Sequence, residues 1–164
     1  MNKKLVMLII LFNIFGCDSN KHKELSKENL VKLESGALGI SLMVPKESTF
    51  FENSKKVSIN LNPKGRKVRQ FSIEKTASTI RNGKYIESLT FGDGITLNYF
   101  TFEKVGGSGG IHYIMEGTFK FKGETFKLTS YDQEELGKGH PEFCLTYLRT
   151  IKRLTHVPAK NTMD

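Results

Sequence analysis

Cysteine is scarce in this chain. Of 164 residues only Cys17 and Cys144 carry thiols, too few for the disulfide framework of a small secreted scaffold, and the expected fate of Cys17 leaves Cys144 without a partner. Histidine occurs four times, at His22, His112, His140 and His156, and no His or Cys pair has zinc-ligand spacing. The longest apolar stretch, residues 5–15, is about half of the ~20 residues a membrane-spanning helix needs. No strand-helix-strand unit is readable, and no Gly-Lys-Ser/Thr follows the glycine cluster at 106–110, which removes a phosphate loop.

The beginning of the chain carries a clear pattern. Lys3 and Lys4 precede the apolar run, and a polar, charged segment follows it, the layout of a cleavable signal peptide. Ile14, Phe15, Gly16 and Cys17 resemble the lipobox of bacterial lipoproteins. The resemblance implies cleavage after residue 16, a diacylglyceryl group on the Cys17 sulfur and an acyl group on its nitrogen. Two or more chains at about 0.8 kcal/mol per buried methylene hold a protein on a bilayer where one does not. Asp18 resembles the inner-membrane retention signal of enteric lipoproteins. The expected address is therefore the periplasmic face of the inner membrane, with the outer membrane and cell surface as alternatives.

The formal charge is +8, and loss of Lys3 and Lys4 with the signal lowers it by two. The surplus suits anionic headgroups, an acidic partner or plain solubility, and a secreted lipoprotein has no nucleic acid to meet. Residues 17–36 form the lipidated start and a polar, lysine-rich tether, with a short helix over 26–33 as an option. A single domain spans 37–156, and 157–164 form a tail.

Period-two alternation dominates the domain. Leu38, Ile40, Leu42 and Val44 share one face, and Val57, Ile59 and Leu61 repeat the pattern before a turn at residues 62–65. Arg69, Phe71 and Ile73 continue it. Turn signals follow at Asn82-Gly83, Asp93-Gly94, residues 106–110 and Lys122-Gly123. Strand-length runs lie between them at 85–91, 95–103, 111–121 and 125–131. From Pro141 the period changes, with Phe143, Cys144, Tyr147, Leu148, Ile151 and Leu154 at helical spacing. The expected fold is α+β: an antiparallel meander of about six to seven strands covered by a C-terminal amphipathic helix.

Candidate chemistry is thin. Residues 106–110 match G-x-S-x-G, and Asp132 and His140 follow in hydrolase order, but a nucleophile elbow joins a strand to a helix and here a second strand follows. The chain is expected not to be an enzyme. His112 and Glu116 are too few for a metal site, and Asp132, Glu134 and Glu135 have no recognisable calcium-loop spacing, so neither metal nor cofactor is expected. Cys144 falls on the apolar stripe as an inert core thiol. Two segments remain as partner-binding candidates: the basic turn with Lys64, Arg66, Lys67 and Arg69, and the loop with Gly107, Ser108 and Gly109.

"GISLMVPKES" and "YLRTIKR" resemble the first strand and final helix of PsbP-like domains, small α+β modules often attached to bacterial lipoproteins. The whole layout, lipidated, single-domain and catalytically bare, also resembles the immunity lipoproteins of type VI secretion systems. In that class the domain plugs the active site of an incoming envelope-targeting toxin; no motif defines it, so no partner residue carries over. Three readings follow: a toxin-neutralising binding protein, an assembly lipoprotein of an envelope or secretion complex, and a small-ligand-binding lipoprotein or hydrolase, which needs a concave pocket with convergent polar groups.

Overall fold

The alternating stretches become strands in the computed structural model, which describes residues 29–64, 68–77, 87–91, 94–107, 110–133 and 139–154. In chain order these are β1 (Leu30–Ser35), β2 (Ile40–Pro45), β3 (Thr49–Glu52), β4 (Lys56–Asn60), β5 (Arg69–Lys75), β6 (Glu87–Thr90), β7 (Thr96–Val105), β8 (Ile111–Phe121), β9 (Glu124–Gln133) and β10 (Lys152–Arg153). A 3-10 turn at Pro141–Cys144 runs into one short helix, α1 (Leu145–Leu148). The signal segment, the tail and the Asn82-Gly83 turn lie outside the described residues.

The strands form two sheets, β1-β2-β10 and β3-β4-β5-β9-β8-β7-β6, and the pairings are antiparallel. The larger sheet is not one meander. Two hairpin runs, β3-β4-β5 and β6-β7-β8-β9, meet where β5 pairs with β9 across a long stretch of chain, Arg69 opposite Asp132 and Lys75 opposite Phe126. Lys122 and Gly123 both take positive φ, 50° and 86°, so the β8-β9 turn has the twist that a two-residue hairpin favours. That turn sets Phe121 opposite Glu124 and thereby the register of the two longest strands.

The inward faces of both sheets supply one core. Leu38, Ile40, Leu42 and Val44 are buried as their alternation requires, with Val57, Ile59, Phe71, Ile73, Met115, Phe119, Phe126 and Leu128 opposite. Phe119 stacks on Phe126 with centroids 5.3 Å apart, and Phe71 stacks on Tyr147 at 6.0 Å. Gly117 lies so close to β7 that an added Cβ would stand 2.8 Å from Tyr99 Cβ and 2.9 Å from the Asn98 carbonyl oxygen.

Three expectations change. The C-terminal helix is a single turn, with a 3-10 turn before it and a strand after it. Thr150 Oγ1 accepts from the Met43 amide at 2.8 Å and donates to the Tyr147 carbonyl at 2.6 Å, turning the chain onto β2. β10 then pairs Lys152 with Ser41 and Arg153 with Ile40. The open edge of β2 offers main-chain bonds that a continued helix would forgo, and Ile151 is buried by this route rather than on a helical stripe. The second change is β1, which occupies the end of the stretch expected as tether or helix and pairs with β2 from Leu30 opposite Pro45 to Ser35 opposite Ile40. The third is the second sheet itself, which the single-meander expectation lacked.

Candidate partner-binding end

The antiparallel register sorts the connections of the larger sheet to two ends. The turn between β4 and β5, the loop between β7 and β8, and the segment after β9 all leave from one end. There the Gln133 amide donates to the Val68 carbonyl at 3.0 Å, His112 pairs with Gln133, and Lys104 with His112. The two segments singled out in the sequence thus lie at the same end of the sheet, one on either side of β9.

Each is fastened differently. Asp132 is 1% exposed, and its carboxylate accepts from Arg69 Nε at 3.1 Å and from the His140 amide at 2.9 Å. Arg69 also lies 5.7 Å over the Phe143 ring. A buried carboxylate requires such partners, and this one clamps the start of β5 and the entry to the 3-10 turn onto the end of β9. Arg69 is therefore held by Asp132 and Phe143, while Lys64 stands exposed in the turn. Arg66 and Lys67 lie outside the described residues.

The β7-β8 loop closes with a bond from the Gly106 amide to the Gly110 carbonyl at 2.8 Å. A Cβ on Gly106 would stand 2.3 Å from His112 Nε2, so the glycine lets the loop rest on the imidazole edge. The other ring nitrogen, Nδ1, is 2.5 Å from the Tyr131 hydroxyl, and burial pushes the Tyr131 phenol up from its ordinary pKa. Gly107 is exposed; Ser108 and Gly109 lie outside the described residues. The loop joins two antiparallel strands, not a strand and a helix, and the Asp132 carboxylate is engaged with Arg69 and the His140 main chain. The G-x-S-x-G context needed for a nucleophile elbow is thus missing from the strands on either side. His112 turns to Tyr131 and Glu116 to Lys127 at 3.3 Å, so the imagined metal pair is engaged elsewhere.

Sequence reasoning missed the apolar part of this end. Val105 is 73% exposed and Ile111 is 37% exposed, directly opposite each other across the β7-β8 pairing. By parity they belong to the core face. The β7-β8 hairpin overshoots the layer that would cover them, and alternation alone cannot show where a covering layer stops. Beside them a hollow of about 360 Å³ opens between the free end of β7 and the 3-10 turn, lined by Thr101, Glu103, Tyr113, His140, Pro141 and Glu142. Gly139 lies flat against the Tyr113 ring in that wall. An exposed apolar pair, a shallow hollow and the exposed Lys64 thus lie at the same end of the sheet.

Cys144 is fully buried, and burial pushes its thiol up to about 12. It is a core group rather than a nucleophile at neutral pH. The terminal segment with Cys17 lies outside the described residues.

No curated protein matches the chain. Thirteen chains of solved structures do; one, a crystal structure from Bacteroides thetaiotaomicron VPI-5482 at 1.50 Å resolution, is 12% identical with a TM-score of 0.57. The alignment covers 74% of this chain and 47% of that one, so the chain spans about half the length of that structure and the likeness is one of fold. Residues 41–152 match the family model of the Type six secretion immunity 3 domain, Tsi3. The matched span runs from β2 into β10 and includes both loops of the candidate end.

Proposed function

Because the chain belongs to the Type six secretion immunity 3 domain family, we propose that it protects its cell by binding a secreted toxin and blocking that toxin's active site. Residues 41–152, the matched span, contain both the rigid sheet and the loops we assign to the partner. The observation that carries the assignment is the convergence at one end of the sheet of the β4-β5 turn, the β7-β8 loop and the exposed pair Val105 and Ile111. Exposed apolar residues together with charged ones are a usual composition of a protein interface. In this reading Lys64, Arg66, Lys67 and the glycines at 107 and 109 meet the toxin, while Arg69 positions the turn through Asp132. Neutralisation needs occupancy of the toxin's site and no chemistry from this chain.

We assign Cys17 as the lipid attachment point, on the residues of the lipobox and the signal pattern before it. The anchor would hold the domain on the periplasmic face, where an incoming envelope-targeting toxin acts.

The test is a pull-down from the native envelope with the lipidated protein, an unrelated lipoprotein of the same envelope serving as control, read by mass spectrometry. Recovery of one secreted hydrolase supports the reading. Recovery of envelope assembly machinery alone, or nothing above control, overturns it.

A further inference from the structure

A sheet edge is a row of unpaired main-chain groups, and natural proteins guard such edges with charge, brevity or cover. Four edge strands bound the two sheets among the described residues: β1, β10, β3 and β6. Three are guarded by polar groups. β1 carries Lys32 and Glu34, paired at 2.5 Å; β10 is Lys152 and Arg153, both exposed; β6 presents Glu87, Ser88 and Thr90. The fourth is unlike them. β3 reads Thr-Phe-Phe-Glu, and its two phenylalanines are 56% and 70% exposed, Phe51 being the most exposed phenylalanine of the core sheet. Its one acid does not guard it, because Glu52 Oε1 is turned away to accept from Ser35 Oγ at 2.6 Å and from the Ala37 amide at 3.0 Å.

The main chain of β3 shows what would fit. The β3-β4 hairpin closes with the Asn53 amide on the Lys56 carbonyl at 2.9 Å, so Asn53 and Lys56 form a hydrogen-bonded pair. Antiparallel pairs alternate, and the register continues Glu52 with Val57, Phe51 with Ser58 and Phe50 with Ile59. Phe51 therefore turns its amide and carbonyl toward β4, whereas Phe50 and Glu52 turn theirs to the open edge. The open edge is thus hydrogen-bonding at Phe50 and Glu52 and non-bonding at Phe51.

We propose that β3 is the contact between two copies of this chain, paired antiparallel about a two-fold axis through Phe51. The strand is complementary to itself at that register. Phe50 exchanges main-chain bonds with Glu52 of the second copy, and Glu52 with Phe50 of the second copy. Phe51 then faces its own copy at a non-hydrogen-bonded position, where Cα atoms approach to about 4.5 Å and side chains are closest. Aromatic pairs are favoured at such sites. An axis normal to the sheet keeps faces matched, so the two seven-stranded sheets become one. With so short a strand the contact is at the small end of specific interfaces, and association is expected to be reversible.

The test is disulfide capture in intact cells producing the full chain. Phe51→Cys places two thiols within the Cα separation of about 4.4–6.8 Å that a disulfide spans, so copper–phenanthroline should give a dimer band on a non-reducing gel. Val105→Cys, which is at least as exposed but lies on the β7-β8 hairpin, and the unsubstituted chain are the controls. A dimer band from Phe51→Cys at least about tenfold stronger than from either control supports the pairing. No band, or an equal band from Val105→Cys, overturns it. A second readout needs no thiol: chemical cross-linking of the native chain should give a dimer that Phe51→Lys abolishes, and a dimer that survives Phe51→Lys also overturns the proposal.

Discussion

The two ends of the seven-stranded sheet are built on opposite plans. At one end three hairpins close, Asn53 to Lys56, Lys122-Gly123 and Phe91 to Ile95, and the stretch from β5 to β6 also leaves from it. At the other end the chain leaves β4, β7 and β9, and side-chain ties are added to the main-chain register, Asp132 on Arg69 and on the His140 amide above all. Hairpin turns fix register locally through backbone geometry. Once register is fixed at one end, the other can carry loops whose sequence is free to follow a partner. The buried Asp132 carboxylate supplies a further tie there, holding the start of β5 and the entry to the 3-10 turn on the end of β9.

The comparison can be broken most forcefully at that tie. Asp132→Ala removes the acceptor for Arg69 and for the His140 amide, and should cost about 2–3 kcal/mol, lowering the thermal midpoint by about 5–10 °C. Toxin affinity should fall with it, because the β4-β5 turn and the 3-10 entry lose their common anchor; calorimetry and binding on the same preparation check both. A variant with normal stability would show that the ion pair holds nothing.

Core packing responds next. Gly117→Ala drives a Cβ into the β7 main chain and should cost about 1–3 kcal/mol by urea unfolding while leaving toxin association unchanged after correction for the folded fraction. Charge reversal of Arg66 and Lys67 together should have the reverse signature: no change in stability, and association slowed about tenfold at low salt with little change in dissociation. Stopped-flow at two ionic strengths reads it, and an unaltered association rate removes the turn from the interface.

The smallest expected effect is alkaline. Cys144, held near 12 by burial against an ordinary value of 9.0, binds its proton more tightly in the folded chain than in the unfolded one. Its contribution is complete below about pH 9 and is lost as pH rises from there toward 12. Tyr99, Tyr131 and Tyr147, also raised by burial, act in the same direction. Urea midpoints should hold steady to pH 9 and then decline, and Cys144→Ala should flatten the first part of that decline.

The sequence showed some of this directly. β2 and β8 were legible because each alternates over most of its length, and the β8 bounds, Ile111 to Phe121, agree with the run between two glycine signals. The edges were not. β1 buries only Leu33 and Ser35, so its alternation is faint, and β3 sets two phenylalanines side by side with neither in the core. The β5-β9 pairing is a contact between residues about sixty apart in sequence, to which local period is blind. The helix was overextended because Ile151 and Leu154 fall at helical spacing by coincidence, while the free main chain of β2 made a strand the better end. At the candidate site the glycine loop and the lysine turn were legible as segments. Their convergence depended on the β5-β9 pairing, and the exposure of Val105 and Ile111 on where the covering layer ends.

The assignment of function to one end is tested most directly by measuring toxin binding to Val105→Asp and to Lys122→Glu in parallel. Val105 is at the loop end and Lys122 at the hairpin end, and both are exposed. Affinity should fall by about thirtyfold or more for Val105→Asp, the equivalent of about 2 kcal/mol, and stay within about twofold for Lys122→Glu. Loss of binding through Lys122→Glu with Val105→Asp unaffected would contradict it and move the interface to the hairpin end.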